Sequence, residues 1–107
     1  MPKSFLGEFE QMVLLGILQR GDTAYGIDVR KEIEKSAGRE VSRGAFYTTL
    51  DRMEAKGYVK WKTAAPVTGR GGMPQRLFRV TPAGKRALRA SRKALLTLWR
   101  GLDEVLG

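Results

Sequence analysis

The chain has 107 residues, the size of one small domain. Hydrophobic residues make up 42% and charged residues 29%, a composition typical of folded globular proteins and not of disordered or membrane proteins. The sequence has no cysteine and no histidine, which excludes disulfides, zinc sites built from these residues and histidine-based catalysis. We therefore expect a protein that is not an enzyme and that holds no metal or cofactor.

The net charge of +9 is unevenly distributed along the chain. Residues 1–38 contain five Lys or Arg and six Asp or Glu, a net charge of −1. Residues 39–107 contain fifteen Lys or Arg and five Asp or Glu, a net charge of +10. A one-sided basic surface attracts polyanions, with nucleic acid as the first expectation, an anionic membrane as the second and an idle basic surface as the alternative.

No segment of the sequence indicates membrane insertion or export. The longest apolar run, residues 12–18, is much shorter than the ~20 residues that span a bilayer. The N-terminal segment has acidic residues where a signal peptide has its apolar stretch. We therefore expect a cytoplasmic protein without a membrane partner.

The first predicted helix covers Phe5–Gln19, and Gly21 ends it. Apolar residues occupy nearly all of its sides, with Phe9 on one of the stripes. A helix of this kind is buried on more than one side. In a domain this small we expect the second side to face another chain.

The second predicted helix covers Tyr25–Ala37, with Asp22 or Thr23 expected as its N-cap. Gly38 ends this helix. Its charged residues lie on the outer face. The inward stripe contains Ile33 together with either Ile27 or Val29.

A third helix is predicted over Arg43–Lys56, with Ser42 as its N-cap. Residues at helical spacing form its core stripe, namely Phe46, Leu50 and Met53. Polar residues occupy the opposite face, namely Arg43, Tyr47, Thr48 and Asp51. This face is free to bind a partner.

Two strands and a long helix complete the chain. Alternation predicts strands over Tyr58–Thr63 and Arg76–Val80, joined by a Gly/Pro loop over Ala65–Gln75. The last helix opens at Thr81-Pro82 and is predicted to run to about Val105. The predicted fold is mainly α with a small β-hairpin, and the element order is that of a winged helix-turn-helix, in which the third helix enters the major groove.

Several segments resemble the PadR-like family of transcriptional regulators. In chain order they are Tyr25-Gly26, Val41–Glu54, Gly57-Tyr58-Val59, Gly71-Gly72 before Arg76, and Arg79–Gly84. The resemblance covers about residues 5–90 and implies a dimeric repressor of the short subfamily. It implies a DNA-binding domain over residues 1–81 and a dimerisation helix over residues 82–107.

Eight residues are the expected DNA contacts: Tyr25, Ser42, Arg43, Gly44, Tyr47, Thr48, Arg70 and Arg76. Tyr25 enters through the resemblance alone. The others have roles that follow from their chemistry. Arg43 suits a bidentate guanine contact or a phosphate, and Thr48 suits base edges. The two wing arginines suit the minor groove or backbone.

Three of these residues also have purely structural interpretations. Ser42 caps the third helix whether or not it also contacts a phosphate. Gly44 is explained by close approach of DNA or by neutral drift to glycine. Tyr47 donates its hydroxyl to a phosphate or packs at the seam with the second helix. Arg52, lower on the helix, is expected to pair with an acid or to touch a backbone phosphate.

The last helix is the expected dimerisation element. Its apolar residues have a heptad-like spacing, and with Phe9 of the first helix the predicted interface comprises Phe9, Leu88, Leu95, Leu98, Trp99, Leu102 and Val105. The resemblance implies that short family members bind flat aromatic drugs through a tryptophan of this helix. Trp99 is thus either interface core or a stacking residue for a small planar aromatic effector. The basic run Lys85–Lys93 is either a solvated face or an extension of the phosphate-contacting surface.

These features favour a dimeric repressor that binds double-stranded DNA at a palindromic operator. The alternative is a winged-helix protein-interaction module without nucleic-acid function. Such a module would carry acids or large apolar residues on the outer face of the third helix. A basic architectural or RNA-binding protein shares the charge but not the terminal dimerisation helix.

Overall fold

Three helices and a hairpin form where the spacing of apolar residues predicts them. The computed structural model describes residues 5–64 and 75–107. The elements, in chain order, are α1 (Glu8–Arg20), a 3-10 turn (Gly21–Thr23), α2 (Gly26–Ala37), α3 (Arg43–Ala55), β1 (Val59–Ala64), β2 (Gln75–Val80), α4 (Pro82–Trp99) and α5 (Asp103–Leu106). The predicted boundaries of the second and third helices and of both strands are correct to within one residue.

The core forms around one face of α3. The predicted stripe of Phe46, Leu50 and Met53 is confirmed, because each of these side chains is at most 2% exposed. It packs with buried aliphatic side chains of α1 and α2 and with the inner face of the hairpin. Of the two inward stripes considered for α2, the one through Val29 is buried, whereas Ile27 is 42% exposed. This packing turns the opposite face of α3 to solvent.

β1 and β2 pair antiparallel, in a register that runs from Val59↔Val80 to Ala64↔Gln75. A third short partner lies beside β2. Tyr25 forms an isolated antiparallel bridge with Leu77, and the N–H of Phe78 donates to the carbonyl of Ala24 at 3.0 Å. These bonds attach the hairpin to the segment that leads into α2 and so fix the hairpin relative to the helices.

One predicted helix start and one predicted N-cap are wrong. α1 begins at Glu8 and not at Phe5, because the Gly7 N–H donates to the carboxylate of Glu10 at 2.8 Å and closes the first turn. α2 has Tyr25 at its N-cap, without a side-chain capping bond. Asp22 and Thr23, the expected caps, lie in the preceding 3-10 turn. The predicted cap at Ser42 is confirmed by its bond to the Ala45 N–H at 3.1 Å.

The prediction of one continuous last helix to Val105 is also wrong. α4 ends at Trp99, and Gly101 has a φ of +79°, a left-handed conformation that glycine adopts at little cost. The chain then forms only the short α5. Leu102 and Val105 therefore do not continue the helical stripe of Leu95 and Leu98.

The first half of α4 is fixed to the core. The Thr81 side chain caps the helix by accepting from the Gly84 N–H at 3.1 Å and donates to the Gly57 carbonyl at 2.6 Å. Farther along, the buried Ser91 Oγ accepts from the Leu6 N–H at 3.0 Å. Beyond Ser91 most side chains of α4 are exposed, so this half of the helix extends from the core. Within the described segments, no helix has the length and apolarity needed to cross a bilayer.

Candidate nucleic-acid interface

The amino end of α3 is exposed to solvent. Ser42 has extended backbone angles, φ −69° and ψ 147°, and its Oγ satisfies one N–H of the first turn. The first turn contains no acidic residue, so nothing in it opposes an approaching phosphate. Arg43 and Gly44 are exposed beside this terminus. Three predicted contacts are therefore adjacent at one helix end.

Gly44 is surrounded by open space. Apart from its chain neighbours and the backbone of its own helix, no atom of the described segments lies within 4 Å of the position that a Cβ at residue 44 would take. Packing within the chain therefore does not require glycine there, although glycine costs helix stability. The exposed backbone at Gly44 leaves room for a partner to come close to α3.

Tyr47 lies between two guanidinium groups. The Arg43 guanidinium is 5.4 Å from the centre of its ring, and the Arg76 guanidinium is 6.0 Å away. Its hydroxyl lies so close to Gly26 that a methyl group there would overlap it. The interpretation of Tyr47 as a residue packed at the seam with α2 is therefore confirmed. The half-buried ring lies at cation–π distance from both guanidinium groups.

Arg76 connects α3 to the hairpin. Its guanidinium lies 4.6 Å from the centre of the Trp61 ring on the neighbouring strand. Trp61 pairs with Phe78, and Arg76 lies two residues before Phe78, so both side chains are on the same face of the hairpin. The sequence prediction missed Trp61 as a site residue, although the period-2 alternation of the strands could have placed it beside Arg76.

The remaining predicted DNA contacts are Thr48, Tyr25 and Arg70. Thr48 is exposed on α3. Tyr25 is half-buried and precedes Gly26, the residue on which the Tyr47 hydroxyl rests. Arg70 and the Gly/Pro loop lie outside the described residues, so their part in the site stays a prediction.

The charge around the site is strongly one-sided. From Ala55 to Leu102 the sequence contains no Asp or Glu. On the hairpin, Lys60, Lys62 and Arg79 are exposed. No ion pair within the described segments involves Arg43 or Arg76. The cations of the candidate interface are therefore available to an external anion.

Arg52 has an internal role. Its Nε donates to Glu10 Oε2 of α1 at 3.1 Å, and Lys56 Nζ lies 3.6 Å from the same oxygen. The expectation that Arg52 pairs with an acid is therefore confirmed. Its partner is on α1, 42 residues away in the chain. Arg52 thus links α3 to α1, whereas Arg43 is exposed at the amino end of α3.

A second surface lies between α1 and α4. A groove of about 560 Å³ is formed there, which we call the α1/α4 groove, lined by Gln11, Leu15, Leu18, Lys85, Leu88, Arg89, Arg92, Leu95, Leu96 and Trp99. Leu15 and Leu18 were not predicted as interface residues, although α1 is apolar on nearly all sides. Leu98 and Val105 are 72% and 75% exposed, whereas Leu88 is only 8% exposed and belongs to the core of its own chain.

Phe9 differs from the other predicted interface residues. It is half-buried against the core, and the Arg39 guanidinium covers its ring at 5.0 Å. Arg39 Nη1 is also 3.4 Å from Glu8 Oε1, so the cation that covers this ring forms an ion pair within its own chain. The apolar surface left on α1 is provided by Leu15 and Leu18, which are 48% and 42% exposed.

Comparison with known proteins yields one family and a consistent fold. The family model described as "Transcriptional regulator PadR-like family" matches residues 14–90. The "Transcriptional regulator Rv3488" of Mycobacterium tuberculosis is 44% identical over 70 residues, which are 65% of this chain. The matched region spans only 59% of that relative's length.

Among solved structures, a PadR-like transcriptional regulator from Bacillus cereus has a TM-score of 0.72 and 20% identity, with 92% of this chain and 90% of that chain covered. A PadR family transcription regulator from Clostridium difficile has a TM-score of 0.71 and 21% identity, with 92% and 99% covered. At this level of identity the two structures establish the likeness of the fold, which is a winged helix with a two-stranded hairpin.

Proposed function

The chain belongs to the PadR-like family of transcriptional regulators, and from this premise we propose that it is a dimeric repressor that binds a palindromic DNA operator. Members of this family regulate transcription by binding DNA and are not enzymes. The observation that carries the proposal is the exposed, acid-free amino end of α3, with Arg43 beside a partner-accessible Gly44.

In the proposed complex this end of α3 enters the major groove. The N–H groups of the first turn and the Ser42 hydroxyl hold a phosphate at the groove edge. The Arg43 guanidinium donates two hydrogen bonds to O6 and N7 of a guanine, and Thr48 contacts the edges of neighbouring bases. Tyr47 keeps its ring at the seam and directs Arg43 from there. Absence of a side chain at Gly44 lets the DNA backbone approach the helix.

The hairpin acts as the wing. Arg76 is held by Trp61 and Tyr47, so it follows α3 closely and offers a cation to the adjacent phosphates. The exposed Lys60 and Lys62 add charge along the same strand pair. Arg70, by its position in the Gly/Pro loop, is expected to contact the minor groove or its phosphates.

Dimerisation through α1 and α4 supplies the second DNA-binding domain. The apolar α1/α4 groove and the exposed Leu95, Leu98 and Trp99 form a surface that a monomer leaves in water. A two-fold axis there places two copies of α3 about one helical turn of DNA apart, ~34 Å, and so matches a palindrome. Bound at a promoter in the cytoplasm, such a dimer represses by occlusion.

Relief of repression is proposed to use Trp99. Its ring lines the α1/α4 groove and is 56% exposed. Two copies of this ring near the dimer axis are suited to stack on a planar aromatic effector. Effector binding there changes the spacing or tilt of the two DNA-binding domains and so lowers operator affinity.

The test compares duplexes from the promoter region of the protein's own gene with a scrambled duplex at two salt concentrations. Arg43→Ala is expected to lower operator affinity by about 1–3 kcal/mol with little effect on the scrambled duplex. Arg70→Ala is expected to weaken both duplexes equally. Lys35→Ala, at the exposed end of α2, is the matched charge control and is expected to change neither.

Sedimentation of the same samples measures the oligomeric state, with a dimer expected at micromolar concentration. If Arg43→Ala behaves like Arg70→Ala, α3 does not read bases through this arginine. If neither change alters binding, α3 is not the recognition helix and the proposal fails. If the wild type binds neither duplex, the alternative of a protein-interaction module is favoured.

A further inference from the structure

After α3, the only acidic residues in the sequence lie in α5. After Glu54 the next acidic residues are Asp103 and Glu104, which form the first turn of α5. Both are exposed, and the apolar residues that follow, Val105 and Leu106, are 75% and 60% exposed. We call residues 102–106 the C-terminal segment. It combines two carboxylates with aliphatic side chains that its own chain does not cover.

The α1/α4 groove has the opposite character. Its apolar surface comes from leucines of both helices and from Trp99. Its polar lining includes Lys85, Arg89 and Arg92, and none of its lining residues is acidic. No ion pair in the described segments uses any of these three cations. A cationic apolar groove is suited to a short peptide that has both carboxylates and aliphatic side chains.

The turn at Gly101 separates the C-terminal segment from α4. With a φ of +79° at that glycine, the chain leaves the direction of the helix after Trp99. The exposure of Val105 and Leu106 shows that the segment does not fill the groove of its own chain. A second copy carries the same segment and the same groove, and a two-fold axis makes such a contact reciprocal.

We propose that the C-terminal segment of each chain docks in the α1/α4 groove of a second copy. Asp103 and Glu104 pair with the groove cations Arg89 and Arg92, and the following aliphatic residues cover its leucines. The inference rests on the proposed dimer and specifies how the two chains recognise each other. The contact occurs twice per dimer, so each carboxylate pair contributes twice to association.

The test exchanges the charges between the two sides. Variant A carries D103K and E104K, and variant B carries R89E and R92E. Each variant alone places like charges in both contacts, and we expect its dimer dissociation constant to rise at least tenfold. A one-to-one mixture of A and B restores opposite charges in both contacts, and we expect heterodimers within about threefold of the wild-type constant. Analytical ultracentrifugation measures all three.

The control separates this pairing from net charge. Variant C carries R86E and K93E, two exposed cations of α4 that do not line the groove, and has the same net charge as variant B. Variant C alone is expected to dimerise like the wild type and to show no preference for variant A over itself. Circular dichroism confirms that each variant keeps its helices.

The outcomes distinguish this inference from the proposed function. If the wild type dimerises and binds its operator but A and B do not restore each other, the C-terminal segment is not the occupant and the inference is wrong. If A associates with C as well as with B, attraction between net charges explains the result and the inference is again wrong. A monomeric wild type overturns the proposed dimer as well.

Discussion

Arg52 of α3 donates to the carboxylate of Glu10 in α1 at 3.1 Å. The other oxygen of this carboxylate accepts from the Gly7 N–H at 2.8 Å, and Lys56 Nζ lies 3.6 Å from the oxygen that Arg52 contacts. Burial alone would raise the pKa of Glu10, but the bonds from Gly7 and Arg52 and the charges of Lys56 and Arg52 outweigh it and lower the pKa. One carboxylate therefore caps the amino end of α1 and links α1 to Arg52 of α3.

Glu10→Gln tests the charge of this carboxylate while keeping its shape. We expect the free energy of unfolding at pH 7 to fall by about 1–2 kcal/mol, because charge-assisted bonds are replaced by neutral ones. Glu10 has a lowered pKa in the folded chain, so its contribution is complete above its ordinary pKa of 4.5 and disappears as the pH falls through the folded value. Urea unfolding at several pH values measures both effects.

Glu54→Gln is the control for the Glu10 change, because Glu54 is an exposed acid on α3 that takes part in no ion pair within the described segments. It is expected to alter stability by less than about 0.5 kcal/mol. Equal stability of the wild type and Glu10→Gln at pH 7 would show that shape and not charge holds the two helices together.

Gly44→Ala separates stability from DNA binding. The site has open space, so the added methyl is expected to raise the free energy of unfolding by about 0.5–1 kcal/mol. The same methyl is expected to lower operator affinity, because in the proposed complex it stands where the DNA backbone approaches α3. Thermal unfolding and a duplex titration measure the two quantities. Unchanged operator affinity in the more stable variant would support neutral drift at this position.

Gly84→Ala is expected to have the opposite effect on stability. A Cβ at residue 84 would overlap the backbone carbonyl oxygen of Tyr58 and the side chain of Val80, and the carbonyl cannot move aside without disturbing the hairpin. We expect a loss of about 1–3 kcal/mol in the free energy of unfolding. Gly44→Ala, also in the first turn of a helix, is the matched control. Equal stability of the two variants would mean that α4 shifts freely on the hairpin.

The hairpin lysines are expected to control the salt dependence of DNA binding. Each phosphate contact that is lost reduces the slope of log K against log salt by about 0.9. The double change Lys60→Ala and Lys62→Ala is therefore expected to reduce the slope by up to about 1.8 for operator and scrambled duplexes alike. Lys31→Ala with Lys35→Ala, on the exposed face of α2, is the control. A slope equal to that of the wild type would remove the hairpin lysines from the interface.

Local patterns in the sequence predict α3 and its buried face well. Phe46, Leu50 and Met53 recur at helical spacing, so they fix which side of α3 is buried and which side carries Arg43. The cap at Ser42 is equally local, because its bond reaches only three residues ahead. Structural features that depend on residues a few positions apart can therefore be predicted from the sequence alone.

Long-range contacts are not predicted in this way. The partner of Arg52 is Glu10, and nothing near either residue in the sequence identifies the other. The bridge between Tyr25 and Leu77 is too short to produce an alternating pattern. The end of α4 was predictable in principle, because Gly101 interrupts the apolar spacing, but the leucines on either side of it fit a heptad. Local backbone preference outweighs that spacing.

The two tryptophans of the chain lie on different surfaces, Trp61 against Arg76 on the hairpin and Trp99 in the α1/α4 groove. Indole emission depends on the surroundings of the ring, so the chain carries two optical reporters. Trp99→Phe leaves a single emitter beside Arg76, where duplex binding is expected to alter its signal. Trp61→Phe leaves a single emitter in the groove, where the proposed second copy or flat aromatic effector is expected to quench or shift it. Two unlabelled variants thus allow each event to be followed separately in solution.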